Sequence, residues 1–325
     1  MKTKNLFAIL LLFAVILFTG CKGEEPLFTG GKGVYVVGYE QESVVAKLWK
    51  DGVQQKFPTE DKWSVANSVF VSGNDVYIVG WDTEMTISAA LWKNGIKQKL
   101  PDGHEANSVY VSGKDVYVAG SGTEGDGVLA VLWKNGVRQK LSNLLWSEAN
   151  SVFVSGKDVY VAGSEYEGDV ACAVLWKNGV KQKLSDEYSE ANSVFVSGND
   201  VYVAGGERTQ DKYSATLWKN GEKQTLSSCT SGANSVFVSG NDVYVTGSES
   251  ENNEPNAVLW KNGEKQKFSN VYSSGSSVFV SGNDVYVAGA ESNINGSAAL
   301  WKNGVKQILS QDCWSHWATC VFVVE

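Results

Sequence analysis

The residue types that most often carry chemistry are scarce in this chain of 325 residues. Its two histidines, His104 and His316, lie far apart, and neither has a second histidine spaced to hold a metal. No Gly-x-Ser-x-Gly segment offers a nucleophile elbow, although a Ser-His-Asp triad is a matter of geometry and not of spacing. Arginine occurs only at Arg138 and Arg208, which excludes an arginine cluster of the sialidase type. The 36 acidic residues could supply paired carboxylates for glycoside hydrolysis, yet no pair stands out. Glu124-Gly125-Asp126 and Glu167-Gly168-Asp169 carry oxygen ligands suited to calcium, but neither has EF-hand spacing. The expectation is a protein that is not an enzyme and has no metal or cofactor.

Recognition chemistry is better represented. Aromatic residues recur without period in acid-rich segments: Tyr39, Trp63, Trp81, Trp146, Tyr166, Tyr188, Tyr213, Tyr272, Trp314 and Trp317. Rings beside carboxylates can stack on sugars while the acids accept hydroxyl hydrogen bonds, and Trp and Tyr equally suit protein interfaces. A second set of polar residues does keep a period: Asn67, Asn107, Asn150, Asn192, Asn234, Ser276 and Thr319. These seven either ring a channel mouth or, as the spacing favours, end the preceding loop with an Asx-type hydrogen bond.

The elements that position both sets follow from a repeat. Leu-Trp-Lys-Asn/Asp-Gly occurs seven times, with tryptophan at Trp49, Trp92, Trp133, Trp176, Trp218, Trp260 and Trp301, spaced by 43, 41, 43, 42, 42 and 41 residues. That period is a propeller-blade length. One unit, residues 107–141, holds four short runs rich in Val, Tyr and Trp, beginning at Ser108, Asp115, Val128 and Val137. Asn135-Gly136 is a two-residue hairpin signal, and Ser-Gly-Asn/Lys-Asp marks a second tight turn. Strands of five or six residues are expected, apolar on both faces, so that each sheet must stack on its neighbours. An alanine three residues before each repeated tryptophan suits that packing, and these tryptophans are assigned to the core.

The chain enters at Val34–Val37, a second-type strand, and ends at Ala318–Val324, a first-type strand. Pairing the two closes a ring. The expected fold is therefore all-β: a seven-bladed β-propeller of four-stranded antiparallel blades, closed by the C-terminal strand pairing with three N-terminal strands, over residues 33–325. The two tight turns of each blade share one rim. The opposite rim carries variable loops with most of the acids, while lysines such as Lys97 and Lys99 sit in tight turns and outer strands. One acidic and one basic rim are expected.

The units lack the Trp-Asp ending of WD40 repeats, the double glycine of kelch repeats and the Asp-box of sialidases. They resemble the Trp-Lys-Asn-Gly propeller repeats of bacterial surface lipoproteins of the Bacteroidota type, a likeness that implies the fold and names no ligand. The N-terminus agrees. Lys2 and Lys4 precede an apolar run from Leu6 to Phe18, too short to span a bilayer. Leu17-Phe18-Thr19-Gly20-Cys21 resembles a lipobox, with Phe18 where Leu is more usual. It implies a signal peptide over 1–20, an acylated Cys21, and a tether to residue 32. Lys22-Gly23-Glu24-Glu25 is similar to a surface-export tag, which implies an outer-membrane, surface-exposed protein with a periplasmic location as the alternative.

The net charge of −8 becomes about −10 once Lys2 and Lys4 are discounted. It argues against nucleic acid and against anionic lipid as partners beyond the lipid anchor. Cys172, Cys229, Cys313 and Cys320 fit no repeat position, and only Cys313 and Cys320 are close in sequence. The expected function is binding of a glycan or of an envelope or host protein through the variable rim, or else a structural role in an envelope complex.

Overall fold

A computed structural model describes residues 26–40, 44–59, 63–83, 86–209, 212–251, 254–292, 296–310 and 316–325. Cys21, Cys313 and Trp314 lie outside the described residues. The described strands form seven four-stranded antiparallel sheets, arranged as the blades of a propeller. The third blade runs Glu148–Ser155, Asp158–Glu167, Val170–Lys177 and Val180–Lys183, from the central channel outward. In chain order the first blade is 64–99, the second 103–140, the third 148–183, the fourth 189–225, the fifth 231–267 and the sixth 273–308. The seventh joins His316–Val324 to the strands of residues 33–55, with Tyr35 opposite Phe322 and Gly33 opposite Val324. The ring is closed as its two ends require.

Each Asn-Gly turn adopts the geometry its residues favour. The six repeated asparagines have φ of 51–54° and the following glycines 78–86°, as a type I′ turn needs. The asparagine also staples the two tight turns together. Asn135 Oδ1 accepts the Val116 amide and its Nδ2 donates to Asp115, both at 2.8 Å. Lys134 pairs with Asp115 at 2.8 Å while lying 5.1 Å over the Tyr117 ring. This Asp-Lys-Tyr-Asn group recurs in six blades. The tight-turn rim is thus largely self-neutralised and not the basic face expected, because its lysines are matched by aspartates of the same blade.

The repeated tryptophans are at most 1% exposed and fill the spaces between blades. Trp176 packs among Tyr117, Ala119, Ala130 and Leu132 of the second blade and Val152 and Val161 of its own. Burying 150–250 Å² each, such rings supply most of the driving force for stacking.

Strands at the channel are longer than the five or six residues expected, reaching 8–10. They continue because Asn67, Asn107, Asn150, Asn192, Asn234, Ser276 and Thr319 each occupy a β-bulge and do not break the ladder. A glycine opposite makes room for it. A Cβ on Gly163 would stand 1.9 Å from the carbonyl oxygen of Glu148, so no larger residue fits. The freed side chains then reach sideways. Asn107 donates to the Ala149 carbonyl at 3.2 Å, Asn192 to Ala233 at 3.0 Å, and Thr319 Oγ1 to Ala66 at 2.6 Å. These bonds cross from blade to blade, in place of the local Asx-type cap expected from sequence.

Two more rings line the channel below. Serine hydroxyls accept the backbone amide of the next blade's inner strand, as Ser108 does from Val152 at 3.1 Å. Cys320 stands at this position in the seventh blade, beside Ser277, with a free thiol. Then Phe70, Tyr110, Phe153, Phe195, Phe237, Phe279 and Phe322 form an unbroken circle, neighbouring centroids 4.7–5.1 Å apart. Tilted pairs at this distance are mutually attractive. The channel is therefore a packed wall of three rings, bonded around its circumference.

Candidate functional site

The bulge sets what stands at the channel mouth on the variable-loop rim. Two residues before it, the inner strands of three consecutive blades carry Glu105, Glu148 and Glu190, whereas the corresponding positions elsewhere are Val65, Gly232, Ser274 and Trp317. Seven-fold repetition is broken into an acidic arc over the second, third and fourth blades.

A cavity of about 550 Å³ opens within that arc, lined by Val128, Trp146, Glu148, Ser164, Tyr166, Gly168, Asp169, Ala171 and Glu190. Each side chain has a structural reason to be there. Trp146 sits in the loop between the second and third blades, its amide bonded to the Val128 carbonyl at 2.7 Å. The adjoining Ser147 hydroxyl accepts the Ala130 amide at 3.0 Å and donates to Leu144. Held on both sides, Trp146 adopts φ +64° and stays 59% exposed. A bulky residue in left-handed backbone is costly, and such strain concentrates at binding sites. Tyr166 projects from the second strand of the third blade and is 40% exposed.

The carboxylates are held differently. Glu190 accepts hydrogen bonds from Tyr188 at 3.3 Å and Tyr213 at 3.5 Å, and these two rings meet edge to face at 6.2 Å. Arg208 lies 5.5 Å over Tyr188. Burial first, then the charge of Glu190, raises the Tyr213 hydroxyl well above the usual tyrosine range. Glu190 chiefly, with burial second, raises Tyr188. Both phenols therefore remain protonated donors at neutral pH. Enclosure by the cavity walls, and next the charges of Glu105 and Glu190, push the Glu148 carboxyl up from its ordinary value. Water still reaches it from the open side.

Not every aromatic residue expected at a site comes to this one. Trp146, Tyr166, Tyr188 and Tyr213 converge on it. Tyr272 and Trp317 line a separate cavity of about 100 Å³ with His316, between the sixth and seventh blades. Trp63 is 65% exposed ahead of the first blade, and Trp81 is half-buried in that blade's second strand. Tyr39 lies near Glu105, with burial the main cause of its raised hydroxyl.

The acids of the varied loops are also less free than expected. Glu165, Glu207 and Glu291 are buried and paired with Lys181, Lys223 and Lys306 of the outermost strands, at 2.8, 3.0 and 2.6 Å. The lysine stem spans the intervening strand, so these lysines serve the acidic rim. Glu124 pairs with Arg138 and Lys140, and Glu167 with Lys181 and Lys183. In both triplets considered for calcium the glutamate is thus engaged with cations. Among the described residues no group of three His, Cys, Asp or Glu side chains is arranged to hold a metal.

A family model for the LVIVD repeat matches residues 65–87. No match was found among curated proteins. Three of the solved structures that are similar share the fold at low identity. The β-propeller domain of the trilobed protease of Pyrococcus furiosus, described as an open velcro topology, has a TM-score of 0.53 at 9% identity, over 87% of this chain and 95% of that one. TolB from Acinetobacter baumannii has a TM-score of 0.52 at 11% identity, over 88% of this chain and 66% of that one. Acylaminoacyl peptidase from Pyrococcus horikoshii has 0.52 at 13% identity, over 87% of this chain but only 51% of the enzyme. This chain spans about half the length of that peptidase. The fold is shared; against the open velcro topology of the Pyrococcus furiosus domain, this ring is closed by a strand from each chain end.

Proposed function

We propose that this propeller is a non-enzymatic binding module of the cell envelope, anchored through an acylated Cys21, whose ligand is a glycan seated in the cavity of the second to fourth blades. One observation carries the reading. Trp146 and Tyr166 line a 550 Å³ opening together with Glu148 and Glu190, and Tyr188 and Tyr213 hydrogen-bond to Glu190. Trp146 and Tyr166 offer faces for a sugar ring, and the carboxylates and Ser164 offer partners for its hydroxyls. Among the described residues no basic side chain lines the cavity. Neutral or amino sugars therefore suit it, and anionic sugars are repelled.

The lipobox-like Cys21 and the acidic residues after it support a surface-facing outer-membrane position. Exposed Trp63 and the Tyr272–Trp317 cavity lie away from the main one and favour a second reading, docking of an envelope or host protein across the rim. A glycan array probed with residues 22–325 separates the two. Binding to neutral or amino glycans, weakened by Trp146→Ala, supports the first. A blank array together with envelope proteins that bind through Trp63 supports the second.

A further inference from the structure

Residues 26–31 do not hang free of the propeller. The Leu27 amide donates to the Asn94 carbonyl at 3.0 Å and the Gly30 amide to Asn74 at 2.8 Å. Phe28 stacks on Phe57 at 6.4 Å and joins the core between the seventh and first blades. Gly95 lies so close beneath Leu27 that a Cβ there would come within 2.8 Å of it. Asn74 and Asn94 belong to the two tight turns of the first blade, so this strap crosses the tight-turn rim. Pro26 stands at that rim.

We infer that the strap fixes the orientation of the propeller on the membrane, with the tight-turn rim against the lipid headgroups and the cavity rim facing away. The inference rests on the reading of Cys21 as the lipid anchor. Lengths decide it. From Cys21 to Pro26 is five residue steps, at most about 18 Å when fully extended. The second strand of the third blade, ten residues from rim to rim, spans about 30 Å. A tether of 18 Å that starts on one rim cannot place the other rim on the bilayer.

Charge points the same way. On the tight-turn rim six of the seven repeated lysines are matched by aspartates, and Lys114 and Lys157 are offset by Glu222 and Glu264 beside the same turns, so this rim carries little net charge. The opposite rim presents Glu105, Glu148, Glu190 and Asp169, which anionic headgroups would repel. The arrangement holds the cavity about 30 Å or more above the headgroups, where a large soluble or neighbouring-cell ligand can enter it.

The test uses the full lipidated chain in vesicles of phosphatidylcholine and phosphatidylglycerol carrying an acceptor dye on lipid. A donor dye is placed by Lys157→Cys on one rim or Asp169→Cys on the other, with the body cysteines replaced by serine or alanine. Energy transfer at least two-fold more efficient from position 157 is expected. Equal transfer, or more from position 169, overturns the orientation. Phe28→Ser, which loosens the strap, is expected to bring the two efficiencies together; an undiminished difference would mean that the strap does not set it. Mass spectrometry of residue 21 separates the two premises. An unacylated Cys21 removes the anchor and the orientation with it, whereas acylated protein with reversed transfer removes the orientation alone.

Discussion

The Asn150 side chain donates to the carbonyl oxygen of Ala191 at 3.1 Å, tying the bulge of the third blade to the inner strand of the fourth. With its counterparts at Asn67, Asn107, Asn192, Asn234 and Thr319 it ties six of the seven blade junctions into a hydrogen-bonded hoop at the rim that carries the cavity. Asn150→Ala leaves the Ala191 carbonyl without that partner and is expected to cost about 1–2 kcal/mol. Chemical denaturation measures it, and the slope of the transition should be unchanged.

The aromatic circle makes a second prediction. Phe195 has rings 4.8 Å away on both sides, Phe153 and Phe237. Phe195→Ala opens the circle and leaves a void, for an expected loss of about 2–3 kcal/mol, less than for a fully buried phenylalanine because one side faces the channel. Phe195→Tyr, which the presence of Tyr110 in the same circle shows to fit, is expected to cost under about 1 kcal/mol. Thermal unfolding of the two variants distinguishes ring packing from mere hydrophobicity.

Lys223 pairs with the buried Glu207 at 3.0 Å, and the Ser185 hydroxyl donates to the same carboxylate at 2.8 Å. Lys223→Met leaves a buried charge with one hydroxyl partner and is expected to destabilise by about 1–3 kcal/mol, the lower part of the buried-pair range because the lysine is itself partly exposed. The double variant with Glu207→Gln should recover much of the loss. A double-mutant cycle gives the coupling directly.

The pH dependence of Glu148 has a definite sign. Its cavity and its acidic neighbours raise the folded-state value above the ordinary 4.5, so the native state holds the proton more tightly than the unfolded chain. Stability is therefore lost as pH rises through the interval above 4.5. Glu148→Gln is expected to be more stable than the parent at pH 7, with the difference vanishing as pH falls below the ordinary carboxylate range. The tight-turn aspartates, which Lys134 and its counterparts hold below that range, titrate alike in both proteins and cancel from the comparison.

The fold was legible because a blade is a local object. Trp-Lys-Asn-Gly names a hairpin, and the strand types at the two ends name the closing pair. The hoop was not legible, since an asparagine on a bulge looks in sequence like one that caps a loop. Only the glycine opposite, Gly163 against Glu148, allows the bulge that turns it toward the next blade. The aromatic circle was hidden for a related reason: Phe153 alternates with valines as in any apolar strand, and nothing local shows that seven such rings meet. The site was legible in kind and not in place. Acid and aromatic residues were visible, but which of them converge depends on blade adjacency, which brings Trp146, Tyr166 and Glu190 together from three separate segments. Pairing across a strand, as between Lys181 and Glu165, also removed charge that composition alone assigns to the rim.

The claim that this cavity is the binding site is tested most directly by titrating a glycan identified on the array into the parent protein, Trp146→Ala, Tyr166→Ala and Trp63→Ala, with calorimetry as the readout. Loss of at least about ten-fold in affinity for the two cavity variants is expected, on the order of one stacked ring, with Trp63→Ala unchanged. Unaltered affinity in both cavity variants, or loss confined to Trp63→Ala, would contradict it and move the site elsewhere on the rim.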